Sequence, residues 1–127
     1  MPSRLKANSN EAPQTDEGEG ASAYTRVSAK LVDVPGHFNF RKTIQHEATG
    51  AKAIIVLLDA KDKTKFGEAA EILYDILGDI DIISQEVPIL VACNKQDLPF
   101  AKNPLQIERE LTNEIEQIRK VRRAQQQ

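Results

Sequence analysis

The chain has 127 residues, enough for one domain with a hydrophobic core and too few for two ordinary domains. Apolar residues make up 40% and charged residues 28% of the sequence, which is typical of a soluble globular protein. The formal net charge of -2 gives no overall attraction to nucleic acid, so we expect no direct nucleic-acid binding.

The first 21 residues are mostly polar or small and include two prolines and two glycines. Such a segment cannot bury enough apolar surface to order itself, so we predict a flexible arm. Polar side chains then alternate with tyrosine and β-branched side chains in two segments, 23–27 and 30–34. This pattern predicts two adjacent strands.

The middle of the chain predicts alternating helices and strands. Phe40, Ile44 and Ala48 recur every four residues, which indicates a short amphipathic helix over 38–49 that ends at Gly50. The almost continuous apolar run 51–58 is typical of a central parallel strand covered on both faces. A second amphipathic helix begins at residue 66 and has a conventional glycine stop at Gly78.

A loop over 79–86 and a strand over 87–93 are expected next, followed by a polar loop over 94–100. Asn103 and Gln106 then have the spacing of a capping box, which predicts a helix starting with Pro104. The core face of this helix has apolar residues spaced 4, 4 and 3 apart: Ile107, Leu111, Ile115 and Ile118. The alternation predicts an α/β fold with a ligand crevice beyond the carboxyl ends of the strands.

The first motif follows the predicted strand 30–34, where Asp33 precedes Gly36 and His37. Asp33 could hold Mg²⁺ through water, because Mg²⁺ prefers oxygen ligands and keeps several waters. Gly36 lacks a Cβ, so its backbone N–H can approach a terminal phosphate oxygen. His37 lies where many GTPases place the residue that orients the attacking water. The alternative is that Asp-Val-Pro-Gly forms only a turn.

The second motif is Asn94-Lys95-Gln96-Asp97, just beyond the predicted strand 87–93. The Asp97 carboxylate can accept two hydrogen bonds from guanine N1–H and its 2-amino group, which adenine cannot supply. Lys95 can lay its methylene stem along the face of the base, and Asn94 can bridge the base and neighbouring loops. The alternative, an ordinary polar loop, is disfavoured by the order, spacing and strand context of these residues.

Two further polar residues receive no role in the site. His46 is a single histidine on the exposed side of a helix, without a second metal ligand nearby in sequence. Asp59 follows the apolar run 51–58, where a carboxylate more often caps the next turn.

With these motifs, the chain resembles Ras-superfamily GTPases, and most closely the beta-subunit family of the eukaryotic signal recognition particle receptor. Segments 31–37, 73–77, 92–98, 101–102 and 114–119 carry the resemblance, which covers residues 23–124. The Ala-Lys pair and the Glu-Ile-Glu-x-Ile-Arg segment after the second motif distinguish this family from Arf-like and translational GTPases.

The resemblance implies an incomplete α/β P-loop-GTPase-like three-layer sandwich with a mostly parallel central sheet. Residues 1–21 would be a flexible arm or switch I remnant, 22–124 a partial small-GTPase domain and 125–127 a disordered tail. In this interpretation switch II contains Asp33 as the magnesium ligand through water, Gly36 at the phosphate and His37 as the possible catalytic residue. The guanine-binding residues would be Asn94, Lys95 and Asp97.

The family further implies GTP and Mg²⁺ as cofactors, and docking of the receptor alpha subunit through the switch regions. It implies tethering to the cytosolic face of the endoplasmic reticulum by an N-terminal membrane helix, with the ribosome or translocon nearby. None of the apolar runs approaches the roughly 20 residues needed to cross a bilayer.

No Gly-x-x-x-x-Gly-Lys-Ser/Thr segment occurs in the sequence, so the backbone nest and lysine that cradle β and γ phosphates are missing from it. The first strand, a switch I threonine in context and the last guanine-contacting loop are also not recognised. We therefore expect an internal fragment, a truncated gene model or a degenerate paralogue with weak or no GTP binding and no hydrolysis. Two alternatives stay open: an active Arf-like GTPase whose phosphate loop is missing only from this sequence, or a nucleotide-free docking scaffold.

Overall fold

The computed structural model describes residues 28–127. The chain divides into two units, 1–35 and 36–127, of which the first is described only from residue 28. In the first unit, residues 28–35 form neither helix nor strand. The predicted strand 30–34 is therefore wrong: a strand is defined by its hydrogen-bonded partner, and these residues have no ladder within the described range, while Leu31 is 61% exposed. The predicted strand 23–27 and the predicted arm 1–21 lie outside the described residues.

The second unit alternates helices and strands. Its elements are a 3-10 turn at Phe38–Phe40, α1 (Arg41–Ala48), β1 (Ile54–Asp59), a 3-10 turn at Lys63–Lys65, α2 (Phe66–Leu77), α3 (Ile80–Ser84), β2 (Ile89–Asn94) and α4 (Pro104–Gln125). β1 and β2 pair in parallel, with Ile54 opposite Ile89 and Asp59 opposite Asn94. This confirms the α/β class, as a partial P-loop-GTPase-like fold with a parallel sheet.

Glycines mark two helix ends, but they act differently. α1 is followed by Gly50, whose φ of 84° is a left-handed conformation that glycine adopts without strain. α2 ends at Leu77 as predicted, yet Gly78 has φ -90°, so the expected left-handed glycine stop is absent there.

The predicted loop 79–86 contains α3 instead. The Asp79 carboxylate caps this helix by accepting hydrogen bonds from the backbone N–H groups of Asp81 at 2.9 Å and Ile82 at 3.3 Å. Ile82 is buried in a small cluster with Ala48 and Ile76, so tertiary packing and the cap stabilise a helix too short to show periodicity.

The main core lies between the sheet and the helices α2 and α4. Its buried residues are Leu58, Ala60, Phe66, Ala69, Ala70, Leu73, Ile107 and Leu111. The predicted capping box is present, since the Asn103 side chain accepts from the Gln106 N–H at 2.9 Å and the Gln106 side chain accepts from the Asn103 N–H at 3.0 Å. Ile115 and Ile118 pack against the core as expected, and α4 continues through Gln125. Within residues 28–127, no helix combines the length and apolar character needed to span a membrane.

An ion cluster joins three helices. Arg41 of α1 contacts Glu71 at 2.6 Å and Asp75 at 3.1 Å, both on α2. Arg122 of α4 contacts the other Asp75 oxygen at 2.8 Å, and its guanidinium lies 4.6 Å from the centre of the Tyr74 ring. Asp75 and Tyr74, which belong to a segment carrying the family resemblance, thus connect α1, α2 and α4.

In the part of the chain that the structure describes, the opposite face of the sheet is open, contrary to the expectation that β1 is covered on both faces. Ile55 is 62% exposed, Leu57 is 69% exposed and Leu90 of β2 is 59% exposed. An apolar run alone did not distinguish a doubly covered strand from one with a single covered face.

Adjacent leucines of β1 provide a direct test of this asymmetry. Leu58→Ala should lower the free energy of unfolding by about 2–5 kcal/mol, because Leu58 is only 3% exposed in the core. Leu57→Ala should lower it by less than about 1 kcal/mol. Urea unfolding followed by circular dichroism measures both. Equal losses would show that another layer covers the Leu57 face.

Candidate functional site

The candidate site lies where two parallel strands end side by side. Asp59 is the last residue of β1 and Asn94 the last of β2, and the two are opposite each other in the ladder. The β2–α4 loop, residues 95–103, leaves from this edge and contains the rest of the second motif. The prediction that this motif lies beyond the carboxyl end of a parallel strand is confirmed.

Ala60 holds both ends of this loop by its backbone. The Ala60 N–H donates to the Asn94 carbonyl at 3.0 Å, and the Ala60 carbonyl accepts from the Lys102 N–H at 2.9 Å. Ala60 is fully buried, at 0% exposure. The sequence pattern does not identify this residue, because its contribution comes from its peptide groups and the strand register. An alanine side chain gives no indication of either.

The loop also has internal bonds and unusual backbone angles. Lys95 has φ 63° and Phe100 has φ 65°, both left-handed. The Lys95 carbonyl accepts from the Leu98 N–H at 3.1 Å, and the Gln96 side-chain amide donates to the Lys102 carbonyl at 2.9 Å. Gln96, the position of the motif without a predicted base contact, therefore stabilises the loop.

Lys95 forms an ion pair with Asp59, with 2.7 Å between Nζ and Oδ2. The other oxygen of Asp59 accepts from the N–H groups of Lys61 at 2.9 Å and Asp62 at 3.3 Å, so the turn-capping interpretation is confirmed. The hydrogen bond from Lys95 lowers the pKa of Asp59, and the same bond raises the pKa of Lys95. The sequence pattern does not place Asp59 in the site, because Asp59 and Lys95 are 36 positions apart.

Lys102 closes the loop against α4. Its ammonium pairs with Glu110, and it lies 6.0 Å from the centre of the Phe66 ring. Desolvation is the main cause that lowers the pKa of Lys102, and the positive charge of the neighbouring Lys63 lowers it further. The Ala-Lys pair that distinguished the family thus has a structural role, with Ala101 packed on the core beside it.

The first motif is divided between the two units. Asp33 is exposed in residues 1–35, whereas Gly36 and His37 begin the second unit. Among the residues that the structure describes, a Cβ added at Gly36 would meet only Ile72 Cδ1, at 3.9 Å, so their packing does not require glycine there. The described residues contain no group of three or more His, Cys, Asp and Glu able to hold a metal ion. The assignment of Asp33 to Mg²⁺ through water stays a prediction.

His37 caps the 3-10 turn that precedes α1. Its Nδ1 accepts a hydrogen bond from the Asn39 N–H at 3.3 Å, and its ring centre lies 4.3 Å from that of Phe38. Both side chains are exposed. The proposed water-orienting role of His37 is untested by this geometry. His46 is exposed on α1, consistent with the absence of an assigned role.

The second motif is exposed at the strand edge, and its assignment to guanine binding stays a prediction. Asn94, Lys95 and Asp97 are all exposed within four residues at the strand edge. They offer an amide, a long aliphatic stem and a carboxylate, which are the groups needed for base bridging, base-face contact and guanine-selective hydrogen bonding.

Comparison with known proteins gives a consistent family assignment. The family model described as signal recognition particle receptor beta subunit matches residues 4–127. The chain is 32% identical to the signal recognition particle receptor subunit beta of Mus musculus over 99 residues, which are 76% of this chain and 37% of that protein. Identity to the Homo sapiens protein is 33% over 76% of this chain and 36% of the relative.

The protein of the same name from Saccharomyces cerevisiae is 32% identical over 110 residues, covering 82% of this chain and 45% of the relative. In these comparisons the chain spans between 36% and 45% of the length of the curated relatives it matches.

Two glycine substitutions test whether folding requires the Gly36 of the first motif. Gly36→Ala should change the free energy of unfolding by less than about 0.5 kcal/mol, because a Cβ there meets no close atom. Gly50→Ala, the matched control, should cost about 1 kcal/mol because Gly50 has φ 84°. Thermal unfolding measures both changes. A larger loss at Gly36 than at Gly50 would mean that Gly36 is required for folding.

Proposed function

Because the chain belongs to the signal recognition particle receptor beta subunit family, we propose that it docks the receptor alpha subunit at the endoplasmic reticulum for co-translational protein targeting. The family match over residues 4–127 carries the proposal. In this role the domain faces the cytosol, with the ribosome or translocon nearby.

The proposed docking surface is the segment from Gly36 to Phe38, at the start of the second unit. Phe38 supports it: the ring is 70% exposed at the start of the 3-10 turn, beside the exposed His37. Exposed aromatic residues are enriched among those that dominate protein–protein binding energy. The segment also contains Gly36 and His37, two of the residues that the family resemblance assigns to switch II.

Docking by this chain is proposed to be independent of tight GTP binding. The sequence contains the guanine motif at Asn94 to Asp97 but no glycine-rich phosphate loop. Backbone N–H groups and the lysine of that loop are the usual ligands of the β and γ phosphates, so base contacts alone support only weak binding. In this proposal the guanine motif serves as a base-binding edge.

Two exposed phenylalanines provide a matched test of docking. Phe38→Ala should weaken binding of a purified receptor alpha subunit about tenfold, as expected for an aromatic anchor. Phe100→Ala, at a ring that is 94% exposed in the β2–α4 loop, should leave affinity unchanged. Biolayer interferometry with immobilised alpha subunit measures both. Absence of binding by the unmodified chain would refute the docking proposal, and equal effects would refute the location of the surface.

Calorimetry distinguishes a nucleotide-independent docking subunit from an active GTPase. Titration of GTP in the presence of Mg²⁺ should give a dissociation constant weaker than about 1 mM, because phosphate ligands are missing from the sequence. Titration with ATP is the control for binding that is not guanine-specific. A sub-millimolar affinity for GTP, with turnover, would instead support an active GTPase.

A further inference from the structure

Within residues 28–127, Asp59 is the one residue that forms a side-chain ion pair with Lys95, and it lies on a different element. We propose that Asp59 is a positioning residue of the guanine-binding edge: its carboxylate holds the Lys95 side chain across the ends of β1 and β2, ready to lie along a base. This inference rests on the guanine recognition included in the proposed function, and it adds a residue from outside the Asn-Lys-Gln-Asp motif.

The strand register makes this contact possible. Asp59 and Asn94 are opposite each other at the ends of the parallel ladder, so Lys95 is the first residue to leave the sheet next to Asp59. Its left-handed φ of 63° turns the chain at this point, and the Ala60 N–H binds the carbonyl of the preceding Asn94 at 3.0 Å. The position of the Lys95 backbone is thereby fixed relative to β1.

The carboxylate itself is also fixed. One oxygen accepts from the backbone N–H groups of Lys61 and Asp62, which leaves the second oxygen to bind Lys95 Nζ at 2.7 Å. A surface lysine normally samples many rotamers, and a side chain that is already held loses less freedom when a ligand binds. Asp59 therefore prepares Lys95 for the base without contacting the base itself.

The pair differs in its setting from the ion pairs that lie within a single helix. Lys65–Glu68 and Arg119–Glu116 join residues three positions apart on one helix, where proximity follows from helix geometry. Lys95–Asp59 joins two strand ends and involves the motif residue whose aliphatic stem is needed for base contact. An ion pair at this place restricts the side chain that the ligand would use.

Nuclear magnetic resonance with the full chain tests the proposal, using guanosine monophosphate as the probe and adenosine monophosphate as its control. In the unmodified chain, guanosine monophosphate should shift the amide signals of residues 94–98, and adenosine monophosphate should not. Asp59→Asn should weaken guanosine monophosphate binding about fivefold, because an amide keeps the turn acceptor but loses the charge that holds Lys95.

Asp79→Asn is the matched control. The Asp79 carboxylate caps two backbone N–H groups in the same manner, through Asp81 and Ile82, at the start of α3. This variant should bind the probe like the unmodified chain. Asp59→Glu, which retains the negative charge, should bind within about twofold of the unmodified chain. In Asp59→Asn, the pKa of Lys95 should fall, and amide signals outside the loop should stay in place.

The outcomes distinguish the positioning role of Asp59 from guanine recognition itself. Unchanged affinity in Asp59→Asn, or an equal loss in Asp59→Glu, would overturn the positioning role while leaving guanine recognition intact. No response of the unmodified chain to guanosine monophosphate would overturn the guanine-binding edge and this inference together. Neither result bears on alpha-subunit docking, which has its own assay.

Discussion

Two hydrogen bonds to the backbone of Ala60 determine how the functional edge of this protein is built. One fixes the end of β2 at Asn94, and the other fixes Lys102 in the loop just before α4. Ala60 is completely buried next to the core residues Leu58 and Phe66, so its peptide groups are held by packing and not by the loop they support. The exposed motif therefore rests on a buried residue without functional chemistry of its own.

The sequence predicted elements whose signals are local. α4 was identified from Asn103 and Gln106, which form the expected capping box, and from the spacing of Ile107 and Leu111, which are buried. α3 was missed because five residues cannot show a helical period, and its stability depends on Ile82 packing against other elements. Local sequence patterns predicted the element in which local interactions dominate. They missed the element whose stability depends on tertiary contacts.

The candidate site shows the same division. The motif identified Asn94, Lys95 and Asp97 as neighbours, because they are adjacent in sequence and lie beyond a strand. The contact from Asp59 was not accessible to that reasoning, since it depends on the register of two strands whose partners are 35 positions apart. His37 illustrates a different limit: its position in the first motif predicts chemistry, yet its Nδ1 here accepts a backbone hydrogen bond from Asn39.

Electrostatics indicate that the arrangement around Lys95 is constant rather than switched by pH. Asp59 has a lowered pKa, so its contribution is present above its unfolded pKa and is lost only as pH falls through the lower folded value. Lys95 has a raised pKa, so its contribution is present below its unfolded pKa and is lost only as pH rises through the higher folded value. Both partners stay charged between these limits, which include neutral pH. Protonation therefore does not release Lys95 from Asp59 in that range.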